Sequence, residues 1–236
     1  MNNTNVNLKT TARIAGILYL VNAITAAIGI MVIPAKLIVP NDITLTAQNI
    51  LSHEFLFRFG ILSSFISQII FVFLGLTLYK LFENVNKQLS RTLLALVITS
   101  VPVTFFIIFY QVTALSILKE SFMASFDQVQ RYSLSMSNLK MFENGIVLIG
   151  IFWGLWLIPF GQLVYKSGFI PRILGIFLIA GGISYFVDVT TFILVPEFHK
   201  QTNILVAVIS SIAEFSMVLW LLIKGIKTDK QKLITQ

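Results

Sequence analysis

A hairpin of two apolar segments decides the fold of this chain. Residues 163–188 read LVYKSGFIPRILGIFLIAGGISYFVD, in which one apolar segment ends near Lys166 and the next begins near Pro171. Gly168 can adopt the left-handed conformation that ends a helix, and Pro171 suits the first turn of the following helix. The stretch therefore predicts two antiparallel helices joined by a tight turn.

The same apolar character extends over almost the whole chain. Of its 236 residues 56% are hydrophobic and 11% are charged, and the mean hydropathy is +0.87. A soluble domain has roughly a quarter of its residues charged. A hydrocarbon layer about 30 Å thick requires roughly 20 helical residues, and a helix satisfies its backbone hydrogen bonds within each segment. The chain is therefore predicted to be an all-α polytopic membrane protein, with six transmembrane helices in one bundle and a single domain over residues 1–236. These helices are predicted at residues 12–33, 55–81, 92–118, 142–166, 171–194 and 203–223.

The distribution of basic residues predicts the orientation of these helices. Basic residues accumulate on the cytoplasmic side because the inner leaflet is anionic and cations are translocated reluctantly. With the N-terminus inside, eleven basic residues face the cytoplasm and six face the outside, so both termini are predicted to be cytoplasmic. The eleven are Lys9, Arg13, Lys80, Lys87, Arg91, Lys166, Arg172, Lys224, Lys227, Lys230 and Lys232, and the six are Lys36, Arg58, Lys119, Arg131, Lys140 and Lys200. The formal net charge of +7 is thus explained by the lipid bilayer, and no nucleic acid partner is expected.

Several classes of chemistry are excluded or not indicated by the sequence. The absence of cysteine excludes disulfides, thiolate metal sites and cysteine nucleophiles. The chain contains no Gly-x-Ser-x-Gly motif and no phosphate-binding glycine loop. No cofactor and no catalytic residue is predicted, and the sequence does not indicate an enzyme.

The first of two long outer connections, residues 34–54, is predicted to contain a helix. Asn41 or Asp42 is positioned to cap it, and apolar residues follow at helical spacing. These apolar residues are Ile43, Ala47, Ile50 and Leu51.

The second long connection, residues 119–141, carries a different start signal. Ser125 and Gln128 fit a capping box ahead of a mixed apolar and polar stretch. Both connections are interpreted as helical connectors, and a ligand-binding lid is the alternative.

Small residues recur along the fourth and fifth predicted helices. Gly150 and Gly154 are four residues apart, and Gly175 and Gly182 are seven apart. Such residues let membrane helices approach closely. Contacts within the chain are the preferred interpretation, and a homo-oligomer is the alternative.

Polar residues within the apolar segments are predicted to form a layer near the membrane midplane, at about 1.5 Å of depth per residue. Asn22, Gln68 and Glu214 belong to it, and Ser100 is slightly nearer the cytoplasm. If these side chains face one interior, they can hydrogen-bond one another. An ionised carboxylate there is unfavourable by several kcal/mol without a partner. Glu214 is therefore expected either to be protonated or to bind a cation or cationic substrate.

A second predicted layer lies towards the outer face. Asp188 belongs to it, together with Arg58, Gln111, Glu143 and His199 from other helices or their ends. The preferred ion pair is Arg58 with Asp188. Such a pair serves either as a structural bridge or in function.

The two histidines, His53 and His199, are both predicted on the outer side near acidic residues. Two histidines and a carboxylate can hold zinc. The chain lacks a His-Glu-x-x-His motif, however, so no metal site is predicted and the histidines remain only alternative ligands.

The hairpin of residues 163–188, together with residues 12–20 and LFRFG at residues 56–60, resembles the bacterial membrane family catalogued as domain of unknown function 4386. The clearest part of the resemblance is the turn and the helix after it. Its residues are Ser167, Gly168, Phe169, Ile170, Pro171, Arg172, Gly175, Gly181 and Tyr185 to Asp188. The resemblance implies a small integral protein of the bacterial plasma membrane with about six or seven spans, and it implies no activity or ligand.

Three functional hypotheses follow from these residues. The first is a small carrier or permease-like protein whose interior polar residues handle a proton or a small solute. The second is a non-enzymatic membrane sensor or a subunit that binds a membrane protein partner, motivated by the long outer connections. The third is an outer-face metalloenzyme, motivated only by the histidines and their acidic neighbours.

Overall fold

The computed structural model describes residues 3–119 and 125–226, and these residues form α-helices without any strand. Six helical stretches are long and apolar enough to cross a membrane, which confirms the predicted all-α class and the six spans. The helices are α1 (Asn3–Ala27), a π turn (Ile28–Val32), α2 (Ile33–Leu37), α3 (Ile43–Ser52), α4 (Glu54–Phe82), α5 (Lys87–Leu118), α6 (Gln128–Ser167), α7 (Arg172–Leu194), a 3-10 turn (Pro196–Phe198) and α8 (His199–Ile223).

The first span is longer than predicted. It was predicted to end at residue 33, but the helix continues through the π turn and α2 to Leu37. Proline has no amide hydrogen and its ring clashes with the carbonyl group four residues earlier. The helix accommodates Pro34 by widening the preceding turn, in which the Ile33 amide donates to the Ile28 carbonyl oxygen.

The helix predicted in the first outer connection is present as α3. Asp42 caps it, because the Leu45 amide donates to the Asp42 Oδ1 atom at 2.8 Å. Ala47 and Ile50 are buried as the helical spacing predicts, whereas the side chains of Ile43 and Leu51 are exposed.

The helix that contains the fourth predicted span begins fourteen residues before that span. The span was predicted at residues 142–166, and α6 begins at Gln128, so part of the second outer connection is helical. Asp127 and Gln130 form a reciprocal capping box, in which the Gln130 amide donates to Asp127 Oδ1 at 2.8 Å and the Asp127 amide donates to Gln130 Oε1 at 3.0 Å. The capping box predicted at Ser125 and Gln128 is therefore corrected to a position two residues later. The 40 residues of α6 extend about 60 Å, which exceeds a hydrocarbon layer of about 30 Å.

Contacts divide the chain into two compact units. Unit 1 comprises residues 1–20, 70–101 and 147–236, and unit 2 comprises residues 21–69 and 102–146, in both cases where the chain is described. Tyr19, Phe82 and Phe160 are among the largest buried side chains of unit 1. The core of unit 2 includes Ile50, Phe57 and Ile108. The assignment of the whole chain to one domain stays a prediction.

The turn between α6 and α7 in unit 1 has the predicted conformation. α6 ends at Ser167, Gly168 follows with φ = +69°, and α7 begins directly after Pro171. A left-handed residue at this position is accessible to glycine without a steric penalty. Phe169 in the turn stacks on Phe82 with ring centroids 5.7 Å apart.

Two pairs of glycines bring the backbones of α6 and α7 into contact. A Cβ atom on Gly154 would lie 2.6 Å from the Gly182 carbonyl oxygen, and one on Gly161 would lie 2.5 Å from the Gly175 carbonyl oxygen. The two pairs lie fourteen and seven residues on either side of Gly168, as an antiparallel hairpin requires. The predicted close packing of these helices within the chain is thus present, and Gly161 adds a member that was not predicted.

Adjacent glycines on α7 provide a test of this contact. We expect Gly182→Ala to destabilise the protein by about 1–3 kcal/mol, because the new methyl group would be forced against the α6 backbone. Unfolding of the purified protein in detergent, followed by circular dichroism, measures the change.

Gly181→Ala is the matched control. Its Cβ atom would meet its nearest neighbour, Ala213 Cβ, at 3.4 Å, which is an ordinary contact. Equal stability of the two variants would contradict the role assigned to the glycine pairs.

Candidate functional site

The acidic side chain of Glu214 lies well inside the last apolar helix of unit 1. Glu214 lies nine residues before the end of α8 at Ile223, or about 14 Å along the helix axis. The Tyr19 hydroxyl group of α1 donates a hydrogen bond to Glu214 Oε2 at 2.6 Å. Among residues 3–119 and 125–226, no lysine, arginine or histidine forms an ion pair with Glu214. Among the described residues, the one side chain observed to donate a hydrogen bond to Glu214 is therefore that of Tyr19.

A close approach of α1 and α8 makes this hydrogen bond possible. Gly16 lies one turn from Tyr19, and a Cβ atom on Gly16 would lie 2.9 Å from the Leu222 amide nitrogen and 3.0 Å from Leu221 Cβ. The two backbones are thus in contact one turn from the Tyr19 hydrogen bond, and a short polar side chain on α8 can reach α1.

Aromatic side chains enclose Tyr19. Its ring centroid lies 5.7 Å from that of Trp156 and 6.4 Å from that of Phe160. Phe71 contacts Trp156 edge to face at 5.1 Å. Tyr19 is only 2% exposed, whereas Glu214 is partly buried. The carboxyl group therefore lies at the edge of an apolar enclosure.

A second tyrosine completes the polar side of this enclosure. Tyr185 lies close enough to both Ser210 and Glu214 to interact with these side chains electrostatically. Tyr185 packs against α6, where Gly150 and Gly154 leave room for its side chain. We name Tyr19, Tyr185, Ser210 and Glu214 the Glu214 site.

Asp188, the other acidic residue predicted in the membrane, has several polar partners. It is 4% exposed, and it accepts hydrogen bonds from Thr202 Oγ1 at 2.8 Å and from Asn203 Nδ2 at 3.4 Å. His199 Nε2 lies 3.5 Å from Asp188 Oδ1. These three residues form the first turns of α8, where an anion is also favoured by the helix dipole. Asp188 therefore joins α7 to the start of α8, which is a structural role.

The ion pair predicted between Arg58 and Asp188 would join residues of different units and stays a prediction, whereas Arg58 has a local partner in unit 2. Arg58 is paired with Glu54, with 2.7 Å between Arg58 Nη2 and Glu54 Oε1, and Lys119 Nζ lies 2.9 Å from the same oxygen. Glu54 precedes Arg58 by four residues, so the two side chains share one helix face and pair locally. Sequence depth alone could not distinguish this partner from Asp188.

Glu143, another candidate of the outer layer, is an exposed residue of α6 that pairs with Lys140. Exposed pairs three residues apart on a helix contribute little to stability. Nothing in its surroundings indicates a binding site.

Three amide side chains in unit 2 have a buried oxygen without a hydrogen-bond partner. These atoms are Asn22 Oδ1, Gln68 Oε1 and Gln111 Oε1. Gln68 and Gln111 are 4% and 1% exposed. Asn22 and Gln68 were predicted in one layer with Glu214, and that common layer stays a prediction because Glu214 belongs to unit 1.

Neither histidine belongs to a metal site in the part of the chain that the structure describes. His53 Nδ1 lies 3.1 Å from both Ser52 Oγ and the Asn49 carbonyl oxygen, and His199 contacts Asp188 and the ring of Phe192. No group of three histidine, aspartate or glutamate residues could hold a metal ion there. The zinc alternative therefore has no support from the geometry.

Tyr19 and Tyr185 were not among the predicted site residues. A signal was nevertheless present, because Tyr19 lies eleven residues into the first apolar stretch, which begins at Leu8, at a depth comparable to that of Glu214. A buried tyrosine hydroxyl group generally finds a hydrogen-bond partner. The pairing itself joins residues 195 positions apart and could not be read from local spacing.

The hydrogen bond between Tyr19 and Glu214 can be tested by a double-mutant cycle. We expect Tyr19→Phe to lower the free energy of unfolding by about 1 kcal/mol, because it removes the donor and keeps the ring. In a Glu214→Leu background the same substitution should have little effect. An equal loss in both backgrounds, measured by unfolding in detergent, would show that the two residues are not coupled.

The structural role of Asp188 leads to a second expectation. Asp188→Ala should destabilise the protein by about 1.5–3 kcal/mol, because buried hydrogen bonds to a charged group are lost. Glu197→Ala, which truncates an exposed acid in the turn between the same two helices, is the control and should change stability by less than about 0.5 kcal/mol. The unfolding transition of both variants decides between these outcomes.

Comparison with known proteins concerns the whole chain rather than this site alone. A search of curated proteins and a search of solved structures each found no match. The family described as Domain of unknown function (DUF4386) matches residues 14–225, a range that contains the Gly168 turn, Tyr19, Asp188 and Glu214. The chain therefore belongs to the family described as Domain of unknown function (DUF4386), as its sequence resemblance implied.

Proposed function

We propose that this protein is a small carrier or permease-like membrane protein in which Glu214 exchanges a proton or binds a cationic solute. The observation that supports the proposal is the Tyr19–Glu214 hydrogen bond, inside an apolar helix and without a basic partner among the described residues.

The surroundings of Glu214 favour two states of the carboxyl group. An ionised carboxylate in hydrocarbon is strongly unfavourable unless a cation neutralises it. Glu214 is therefore stable when it is protonated or when a cation is bound beside it. A carrier needs a group that alternates between such states, because the bound species must both arrive and leave.

Tyr19 is suited to both states of Glu214. A tyrosine hydroxyl group can donate to a carboxylate and to the carbonyl oxygen of a neutral carboxyl group. The second tyrosine, Tyr185, is close enough to Glu214 to interact with it electrostatically, so a further hydroxyl group lies near the carboxyl group. Neither tyrosine carries a positive charge, so neither would hold the Glu214 carboxyl group permanently in its ionised form.

The groups around Tyr19 are closely packed. Contact between α1 and α8 at Gly16 and the rings of Trp156 and Phe160 hold Tyr19 in place. Glu214 itself is only partly buried. We therefore expect a proton or small cation to bind the Glu214 carboxyl group without displacing these aromatic side chains.

The cellular setting belongs to the same proposal. We place the protein in the bacterial plasma membrane with both termini in the cytoplasm, on the basis of the family resemblance and of the eleven basic residues against six. In this orientation Glu214 lies closer to the cytoplasmic end of α8 than to its outer end. The bilayer is the main partner, and a homo-oligomer or a membrane protein partner is compatible with the site.

Proton flux into vesicles tests the proposal. The purified protein is reconstituted into lipid vesicles that contain a pH-sensitive dye, and a potassium diffusion potential drives proton uptake. We expect wild-type protein to accelerate uptake above the rate of protein-free vesicles and Glu214→Gln to return it to that rate, because glutamine cannot release a proton.

Glu143→Gln is the matched control, since it makes the same chemical change at an exposed, locally paired residue. It should leave the flux unchanged. A wild-type rate equal to that of protein-free vesicles would contradict proton transport and favour the sensor or partner-subunit hypothesis. Equal flux in wild type and Glu214→Gln would remove Glu214 from the mechanism.

A further inference from the structure

The interface between α1 and α4 in unit 2 contains polar atoms that the Glu214 site does not use. A Cβ atom on Gly29 would lie 2.1 Å from Ser64 Oγ and 2.5 Å from the Gly60 carbonyl oxygen. Ser63 Oγ donates to the Thr25 carbonyl oxygen at 2.9 Å. The two helices are therefore in direct contact. They run antiparallel, because Thr25 contacts Ser63, whereas Gly29, later in the sequence, contacts Gly60, earlier in the sequence.

The register of this contact brings Asn22 and Gln68 to the same level. Asn22 lies three residues before Thr25 on α1, and Gln68 lies four residues after Ser64 on α4. Residues three or four apart share one helix face. In an antiparallel helix pair, a residue one turn earlier on α1 lies at the same level as a residue one turn later on α4. Both side chains thus belong to the α1–α4 interface, one turn beyond the bond between Ser63 and Thr25.

The two amides share an unmet requirement. Asn22 Oδ1 and Gln68 Oε1 are buried oxygens that accept no hydrogen bond, and Gln68 is 4% exposed. The other end of the Gln68 amide is engaged, because Gln68 Nε2 donates to Ser67 Oγ at 3.1 Å. Unsatisfied buried acceptors are rare in folded proteins and indicate an unfilled ligand, ion or water position. Both of these atoms require a donor or a positive charge.

An irregular turn of α1 begins two turns further along the same face. The π turn Ile28–Val32 contains the buried Gly29 at the contact with Ser64. One extra residue in a turn rotates the following side chains by about 100° and interrupts the regular ladder of hydrogen bonds. Single π turns within α-helices occur frequently at functional sites.

We propose that the amide oxygens of Asn22 and Gln68 form a site for a small monovalent cation such as Na⁺. The two amide atoms that lack a hydrogen-bond partner here, Asn22 Oδ1 and Gln68 Oε1, are both oxygens. Oxygen atoms are the ligands that hard cations prefer. None of the nearby residues Asn22, Ser64, Ser67 and Gln68 has a carboxylate. A site of neutral oxygens suits a cation with one positive charge better than a cation with two. This proposal does not rest on Glu214, which belongs to unit 1.

Thermal unfolding of the full-length protein in detergent tests the site. Unfolding is measured in NaCl and in choline chloride at equal ionic strength, because choline is too large for a site between two contacting helices. A ligand that binds only the folded state stabilises it. We expect the midpoint in NaCl to be higher by about 2–4 °C at a saturating concentration. LiCl and KCl at the same ionic strength measure the preference for cation size.

Two variants locate the effect. Asn22→Leu and Gln68→Leu remove one oxygen each, and both should lose the difference between NaCl and choline chloride. Each should still fold, because replacing an unsatisfied buried acceptor by an apolar group of similar shape removes an unfavourable term. Gln111→Leu is the matched control, since Gln111 also has a buried oxygen without a partner in unit 2 but lies on α5. It should keep the difference.

Gln68→Glu provides a gain of function that does not depend on the leucine variants. The carboxylate should lower the Na⁺ concentration required for half of the midpoint shift. Equal midpoints in NaCl and choline chloride for wild type would overturn the proposal and assign the position to water. A difference that persists in both leucine variants, or an unchanged half-maximal Na⁺ concentration in Gln68→Glu, would overturn it as well.

Discussion

The contact between glycine backbones on α6 and α7 is the constraint on which the arrangement of unit 1 depends. In a bilayer the hydrophobic effect does not draw two apolar helices together, so close van der Waals packing has to do so. Gly154 with Gly182 and Gly161 with Gly175 provide that packing over two full turns on either side of the Gly168 turn. The same closeness leaves room for Tyr185 against α6 and directs its hydroxyl group towards Ser210 and Glu214.

Two further helix contacts extend this arrangement to α8 and α1. α8 packs against α7 where Ser210 and Ala213 lie beside Gly181, and Gly16 allows α1 to approach α8 at Leu221 and Leu222. The Glu214 site is therefore a consequence of successive helix contacts. Its chemistry requires no special loop or motif, because two tyrosines and one acid on three closely packed helices suffice to form it.

The two acidic residues predicted in the membrane illustrate how partners determine a role. Asp188 is surrounded by Thr202, Asn203 and His199 at the start of α8, so its carboxylate is satisfied within the protein. Glu214 has one hydroxyl donor and no basic partner among the residues that the structure describes. The first acid therefore connects the end of α7 to the start of α8, whereas the second has a single observed hydrogen-bond donor, Tyr19.

The sequence by itself determined the apolar environment that the helices require, the helical secondary structure and the positions of some turns and caps. Composition and the length of the apolar stretches suffice for six membrane-spanning helices, because hydrocarbon permits few other backbone conformations. The left-handed Gly168 and the Asp42 cap were also predictable, since each depends on residues within one turn. The start of α6 and the passage of the first helix beyond Pro34 were not, because neighbouring packing decides between competing local signals.

Only the tertiary structure decided which polar side chains meet. Tyr19 and Glu214 are 195 residues apart in the sequence. The position of a residue along an apolar helix gives its depth, but it does not give the direction in which its side chain points. Rotation of each helix about its axis selects the partner, and that rotation is set by where glycines let backbones touch. For this reason the sequence identified Glu214, Asp188 and Gln68, whereas the structure alone showed that their respective partners are Tyr19, Thr202 and Ser67.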